Sequence, residues 1–260
     1  MCINKGALLR ANLAVELDMT AVEKQRVAGF LDLAGDYLSS GYKSEKKDYN
    51  FEDDAVPKAD EKPEFEGAET IEKIAAEIRA CKRCPLGETR TKAAPGEGAM
   101  RPLVMVIGEG PGAEEDAQGR PFVGRAGQLL DKMLASINLS RNRNCFIANV
   151  VKCRPPGNRD PRPEETAACA GFLKRQIVLL KPKFILVAGR IAAQTLLQTT
   201  ESINKLHGKF MEYQVDNLTI PLLITYHPAA LLRDESYKRP TWEDLKLLRS
   251  RIDSQNDGGS

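Results

Sequence analysis

The sequence predicts an α/β protein, a three-layer α/β/α sandwich on a four-stranded parallel sheet, with a helical extension at the N-terminus. Two observations carry the prediction. Four short apolar runs, "LVMVIG" at 103–108, "CFIANVV" at 145–151, "FILVAG" at 184–189 and "IPLLITY" at 220–226, are each followed by a stretch of helical character. Strands that read as continuous apolar runs are covered on both faces, which requires parallel pairing and crossover helices. The chain is also long enough, at 260 residues and 42% hydrophobic, for one large domain or a domain with an appendage.

In chain order, residues 7–40 read as two helices: "ALLRANLAVEL" has helical apolar spacing, and Thr20 with Glu23 forms a capping box ahead of "VAGFLDLAGDYL". Residues 1–42 are therefore assigned to a helical extension. Residues 43–68 are charged, Pro-containing and poor in aliphatics, the composition of a disordered acidic linker. The helix "ETIEKIAAEIRA" opens the main domain, placed at 69–253, with 254–260 as a flexible tail. No run approaches the roughly 18 apolar residues of a membrane span, and no export leader is visible, so a cytoplasmic protein is expected.

The net charge of +2 conceals an asymmetry. Residues 1–80 carry 11 Lys and Arg against 17 Asp and Glu, a net of −6, leaving 27 against 19, a net of +8, for the remainder. A basic body with an acidic arm suits a polyanion-binding domain.

Of six cysteines, four form two pairs: Cys81 and Cys84 in "CKRC", and Cys153 and Cys169 around a Pro-rich loop and the first turns of a helix. Without an export signal, disulfides are not expected. Four thiolates serve either a structural zinc ion or an iron–sulfur cluster, and spacing does not choose between them. Cys145 lies inside a strand as a core thiol, and Cys2 sits near the N-terminus.

The loop "GEGPGAEEDAQGRPF" at 108–122 satisfies a dinucleotide fingerprint through Gly108, Gly110 and Ala113. Its chemistry opposes that reading. Glu109, Glu114, Glu115 and Asp116 crowd the turn that would hold a diphosphate, Pro111 removes an amide donor, and no acidic ribose ligand ends a second strand. At strand ends, where ligands of parallel sheets bind, stand instead two carboxylates (Glu109, Glu115), an aromatic (Phe122), an amide (Asn149) and an imidazole (His227). These are parts for holding a planar heterocycle and attacking the bond beside it.

Together "CKRCPL", "GEGPGAEEDAQGRPFVGRAGQLL", "NVVKCRPPGNRDP", the cysteine at 169 and "HPAALLR" at 227–233 resemble, in order, the family 4 uracil-DNA glycosylases, over roughly residues 75–250. The resemblance implies a monofunctional enzyme that removes uracil from DNA and leaves an abasic site. It also implies a uracil-DNA glycosylase-like sandwich and a four-iron four-sulfur cluster on Cys81, Cys84, Cys153 and Cys169, with structural zinc as the alternative. Phe122 would stack on uracil, Asn149 would pair with its O4 and N3 edge, and His227 would donate to O2. Gly108 and Gly110 would let the backbone approach the base. Glu109 would position or activate water; Glu115 is the second candidate, or it lines the pocket near uracil C5, and Asn158 would orient the water.

Leu231 or Leu232 would fill the vacancy left in the duplex, and Arg233 would meet a phosphate. The cluster would hold the 153–169 segment so that Arg154, Arg159 and Arg162 face DNA. His207 is read as a surface or turn residue. Gly110 stands where some relatives have Ala, and the basic, His-containing insertion of DNA-crosslinking relatives is missing, which implies turnover. Another deaminated base such as hypoxanthine or xanthine, a non-catalytic iron–sulfur DNA-binding module, and a nicotinamide-dependent oxidoreductase with a zinc ribbon are the competing readings. A monomer associated with the nucleoid is expected, its N-terminal helices contacting another repair or replication protein.

Overall fold

The structure, a computed structural model, describes residues 69–257; the expected helical extension and acidic linker, and residues 258–260, lie outside the described residues. Its centre is a sheet in which four strands run parallel: β2 (Val104–Gly108), β3 (Cys145–Asn149), β4 (Phe184–Ala188) and β6 (Leu218–Thr225). Every residue of β2, β3 and β4 is buried, as their unbroken apolar runs require.

The sheet has six strands, not the expected four. Two antiparallel edges extend it, β1 (Glu97–Gly98) beside β3 and β5 (Phe210–Val215) beside β6, giving the order β1-β3-β2-β4-β6-β5. Neither edge carries an apolar run to betray it. One is two residues long, and the other, "FMEYQV", leaves Glu212 and Gln214 in solvent.

Side chains alternate across the sheet and build two cores. On one face Met105, Ile107, Ile185 and Val187 pack against α1 (Ile71–Ala80), α5 (Pro163–Leu180) and α6 (Arg190–Leu197). On the other, Val104, Val106, Phe184 and Leu186 meet α4 (Arg125–Ala135), α8 (Pro228–Arg233) and α9 (Lys238–Asp257). Three layers result, as expected. Helix α9 continues to Asp257, past the boundary at 253 set from the sequence. Cys145 is a core thiol, and burial pushes it up to about 12.

Three short helices complete the order: α2 (Leu86–Thr89), α3 (Ala113–Gln118) and α7 (Ile203–Leu206). Thr70 caps α1 by accepting from the Lys73 amide, so the helix delivers Cys81 directly at its C-terminus. Among the described residues no helix is long and apolar enough to cross a membrane.

Candidate active site and thiol cluster

The carboxyl ends of β2, β3, β4 and β6 open into one cleft of about 680 Å³, and the sequence-selected Glu109, Glu115, Phe122, Asn149, Asn158, His227 and Arg233 all line it. The strand ends are tied to each other: the Val150 amide donates to Gly108, that of Val151 to Glu109, and that of Gly189 to Thr225.

Gly108, just below the cleft, is where the Phe122 ring and the Asn149 amide converge. A Cβ there would stand 2.5 Å from Phe122 Cζ and 2.6 Å from Asn149 Oδ1, so only glycine lets ring and amide close on this point. Asn149 is 1% exposed, and its Oδ1 has no hydrogen-bond partner among the described residues. An unpaired buried acceptor costs about 1–3 kcal/mol. It is tolerated where a ligand supplies the donor.

Phe122 adopts φ +52°, a conformation a bulky side chain avoids. Its ring faces the imidazole of His227 at 5.5 Å between centroids. Gly127 makes the turn possible, since a Cβ there would fall 1.9 Å from the Phe122 carbonyl oxygen.

His227 caps α8: its Nδ1 accepts from the Ala229 amide at 3.1 Å. The accepted bond leaves the ring proton on Nε2. Burial, and then the Arg233 guanidinium, push the imidazole down to about 4, so it is neutral at neutral pH.

The acidic loop sorts its carboxylates. Glu115 accepts from three backbone amides, Gly112 at 3.0 Å, Val123 at 2.8 Å and Gly124 at 2.9 Å. Asp116 accepts from the Thr91 amide at 2.9 Å. Glu109 alone of the buried or half-buried acids here has no hydrogen bond or ion pair among the described residues. Burial, with Asp160 nearby, pushes it up to about 7 against the pull of Arg190 and Arg233.

Several expected roles meet obstacles. Leu231 is 3% exposed and packs in the second core, so it is no wedge; Leu232, 43% exposed, is free for that task. Arg159 makes a bidentate pair with the buried Glu165 at 2.6 and 2.8 Å, which ties its guanidinium away from solvent phosphate. Asn158 Oδ1 accepts from Arg154 Nε at 2.8 Å, engaging both residues with each other. Glu115 lines the cleft with three of its acceptor sites already committed to loop amides. His207 does stand in a turn, as expected, half-buried with Nδ1 3.3 Å from the buried Asp244.

Sequence reasoning missed Arg190, which lines the cleft and pairs with Asp160 at 2.7 Å. Its place directly after Gly189 at a strand end was the available signal. Tyr226 and Tyr237, stacked at 4.6 Å between ring centroids, also line the cleft and were missed.

Cys81, Cys84, Cys153 and Cys169 line a second, small cavity with Arg90, Lys152 and Phe172. No disulfide joins them. Donors point at the sulfurs: Arg90 Nη1 reaches Cys153 Sγ at 2.8 Å, and the Arg83 amide lies 3.5 Å from Cys81 Sγ. Among the described residues no group of three or more His, Cys, Asp or Glu is placed to hold a metal ion. Lys152, fully buried, donates to Gln176 at 2.8 Å.

Residues 95–246 match the family model described as the uracil DNA glycosylase superfamily. A type-4 uracil-DNA glycosylase of Pyrobaculum aerophilum is 43% identical over 182 residues, 68% of this chain and 92% of that protein. Those of Sulfurisphaera tokodaii and Thermotoga maritima are 42% and 41% identical, covering 70% and 71% of this chain and 84% and 95% of their own lengths.

Proposed function

This chain belongs to the uracil DNA glycosylase superfamily and is a uracil-DNA glycosylase, a DNA-repair hydrolase of N-glycosyl bonds, and from that premise we propose how its residues divide the work. One observation carries the assignment: a buried, unpartnered amide oxygen, Asn149 Oδ1, meets the Phe122 ring at the side-chain-free Gly108.

Uracil enters the cleft flipped from the strand and stacks on Phe122. Asn149 Oδ1 accepts from N3–H while its amide nitrogen donates to O4, which satisfies the orphan acceptor. Cytosine presents an acceptor at N3 and an amine at C4, so each contact would set like against like. The unpaired groups left by the wrong base are what make such a site selective.

Bond breaking builds positive charge on the sugar and negative charge on the departing base. His227, neutral and carrying its proton on Nε2, donates to O2 as that charge develops. A neutral donor whose other nitrogen is pinned by the Ala229 amide needs no reorganisation at the moment of reaction. Glu109, with no hydrogen-bond or ion-pair partner among the described residues, orients the attacking water and faces the cationic sugar. Glu115 holds the loop rather than the water. Leu232 fills the space left by the extruded base, and Arg233 and Arg190 meet the backbone phosphates.

We also assign Cys81, Cys84, Cys153 and Cys169 to a four-iron four-sulfur cluster in preference to zinc. What supports this is the convergence of four unpaired thiols on one cavity and N–H donors aimed at their sulfurs. When bound, the cluster supplies a cross-link between the turn after α1 and the 153–169 segment.

Incubating the protein with single- and double-stranded oligonucleotides containing U, hypoxanthine, xanthine or T, followed by alkaline cleavage of abasic sites, tests the reading. Release from U alone is expected. No release from any U substrate overturns it, and faster release of hypoxanthine or xanthine reassigns the pocket.

A further inference from the structure

The Phe122 turn is held from behind by a residue that does not itself line the cleft. Arg141 lies between α4 and β3, nearly 20 residues from Phe122 in sequence, and its side chain is 11% exposed. All five of its N–H donors find acceptors. Nε and Nη2 reach Asp131 at 3.0 and 3.2 Å, Nη1 reaches Glu97 at 2.5 Å and the Pro121 carbonyl at 3.1 Å, and Nη2 reaches the Phe122 carbonyl at 2.7 Å. Five donors in a rigid planar fork are the full complement of a guanidinium, and no other side chain offers that set.

The two carbonyls it grips flank the residue at φ +52°. A non-glycine residue held there costs on the order of 1–3 kcal/mol and persists only where its surroundings dictate it. Glu115 holds the same turn from the other side through the Val123 and Gly124 amides. The carboxylates behind Arg141 are themselves anchored: Glu97 also accepts from Arg120 at 2.7 and 3.0 Å, and these bonds hold its carboxyl below the usual range although burial opposes them.

We propose that Arg141 is a positioning residue for base recognition: by fixing the Pro121 and Phe122 carbonyls it locks the Phe122 backbone in its left-handed state and so sets the ring plane on which the base stacks. The proposal rests on Phe122 being the stacking surface. Released from the clamp, the turn relaxes toward negative φ and the ring leaves its contact with Gly108 and Asn149. The DNA grip at Leu232 and Arg233 is untouched, because Arg141 contacts neither.

The test is a double-mutant cycle on the full chain, R141K, F122A and the pair, read by single-turnover uracil excision, inhibition by free uracil and affinity for abasic-site DNA. Lysine keeps the charge but has three donors on a flexible stem, so it cannot span two carbonyls and two carboxylates. R141K should slow excision at least tenfold and weaken uracil inhibition by a similar factor, with abasic-DNA affinity changed less than threefold. In the F122A background the same substitution should cost less than twofold.

Full multiplication of the two effects, or an R141K rate within twofold of the parent, overturns the proposal. So does a parallel loss of abasic-DNA affinity, which would mark general damage to the fold. If R141K does not fold, D131N, which weakens one anchor and leaves the arginine, should slow excision by a smaller factor and show the same absence of additivity with F122A; additivity there overturns the proposal equally. An F122A enzyme as fast as the parent overturns the stacking assignment and this inference with it, whereas a parent chain with no uracil release defeats the functional reading itself.

Discussion

The imidazole of His227 and the ring of Phe122 face each other at 5.5 Å with 30° between their planes, one from the start of α8 and the other from the loop after α3. A base laid on Phe122 is therefore within the reach of the only imidazole in the cleft. The contact also dries the histidine, and burial is the larger cause of its depressed pKa. The proposed stacking surface thus borders the proposed proton donor, and the pH behaviour expected of the enzyme follows from the groups around them.

The acid limb of the rate profile should belong to Glu109. Its carboxyl titrates at about 7, whereas His227 stays neutral down to about 4. Single-turnover excision is expected to fall up to tenfold per unit as pH drops below about 7. E109Q should be slower at least tenfold at pH 8 and lose that limb. A limb that persists in E109Q would place the titration elsewhere.

The same group sets a stability trade. A carboxyl whose folded pKa is raised contributes most when protonated, below its unfolded pKa near 4.5, and that contribution is lost as pH rises through about 7. E109Q should therefore be more stable than the parent at pH 8, by on the order of 2 kcal/mol after allowance for partial exposure. Its advantage should vanish near pH 4. Thermal melts across that range measure it.

Glu115 should declare itself as a loop tie. Losing the charged acceptor of three amides in E115Q is expected to cost about 2 kcal/mol, a fall in Tm of roughly 4–8 °C for a domain of this size. A variant with unchanged Tm and lost excision would instead return Glu115 to the chemistry.

Adjacent leucines should separate cleanly. L231A removes a core side chain and should destabilise by about 2–4 kcal/mol. L232A should leave Tm within about 1 °C and slow excision more from duplex than from single strands, because only a duplex has a vacancy to fill. Equal effects on both substrates would remove Leu232 from the wedge role.

A methyl group at position 108 is the most economical probe of the pocket. G108A would set a Cβ 2.5 Å from Phe122 and 2.6 Å from Asn149, so uracil inhibition and excision should both fall at least tenfold while the sheet still folds. Retained inhibition would show that the base binds elsewhere.

The layered fold and most of the pocket were legible because parallel sheets bring the ends of apolar runs to one edge. Gly108, Asn149 and His227 are such ends, and reading the runs placed all three. Partnerships were not legible. Glu115 and Asp116 look like exposed charge in sequence, but all of their amide partners except Gly112 lie 8 to 25 residues away and meet them only once the loop closes. Arg159 looks like a phosphate ligand until Glu165 is folded against it. Leu231 and Leu232 differ only in helical phase, about 100° apart, and a six-residue helix offers too few turns to fix that phase from its sequence. The edge strands escaped because half-exposed edges lack an apolar run, and Arg141 because nothing near it in sequence names its acceptors.

Helix α8 has one more consequence. It is six residues long, about 9 Å at 1.5 Å per residue, with His227 capping one end and Leu232 and Arg233 at the other. Over so short a span, with Leu231 anchored in the core between them, the residue proposed to probe the duplex and the residue proposed to donate to O2 share one rigid element, so their spacing is fixed before any DNA arrives.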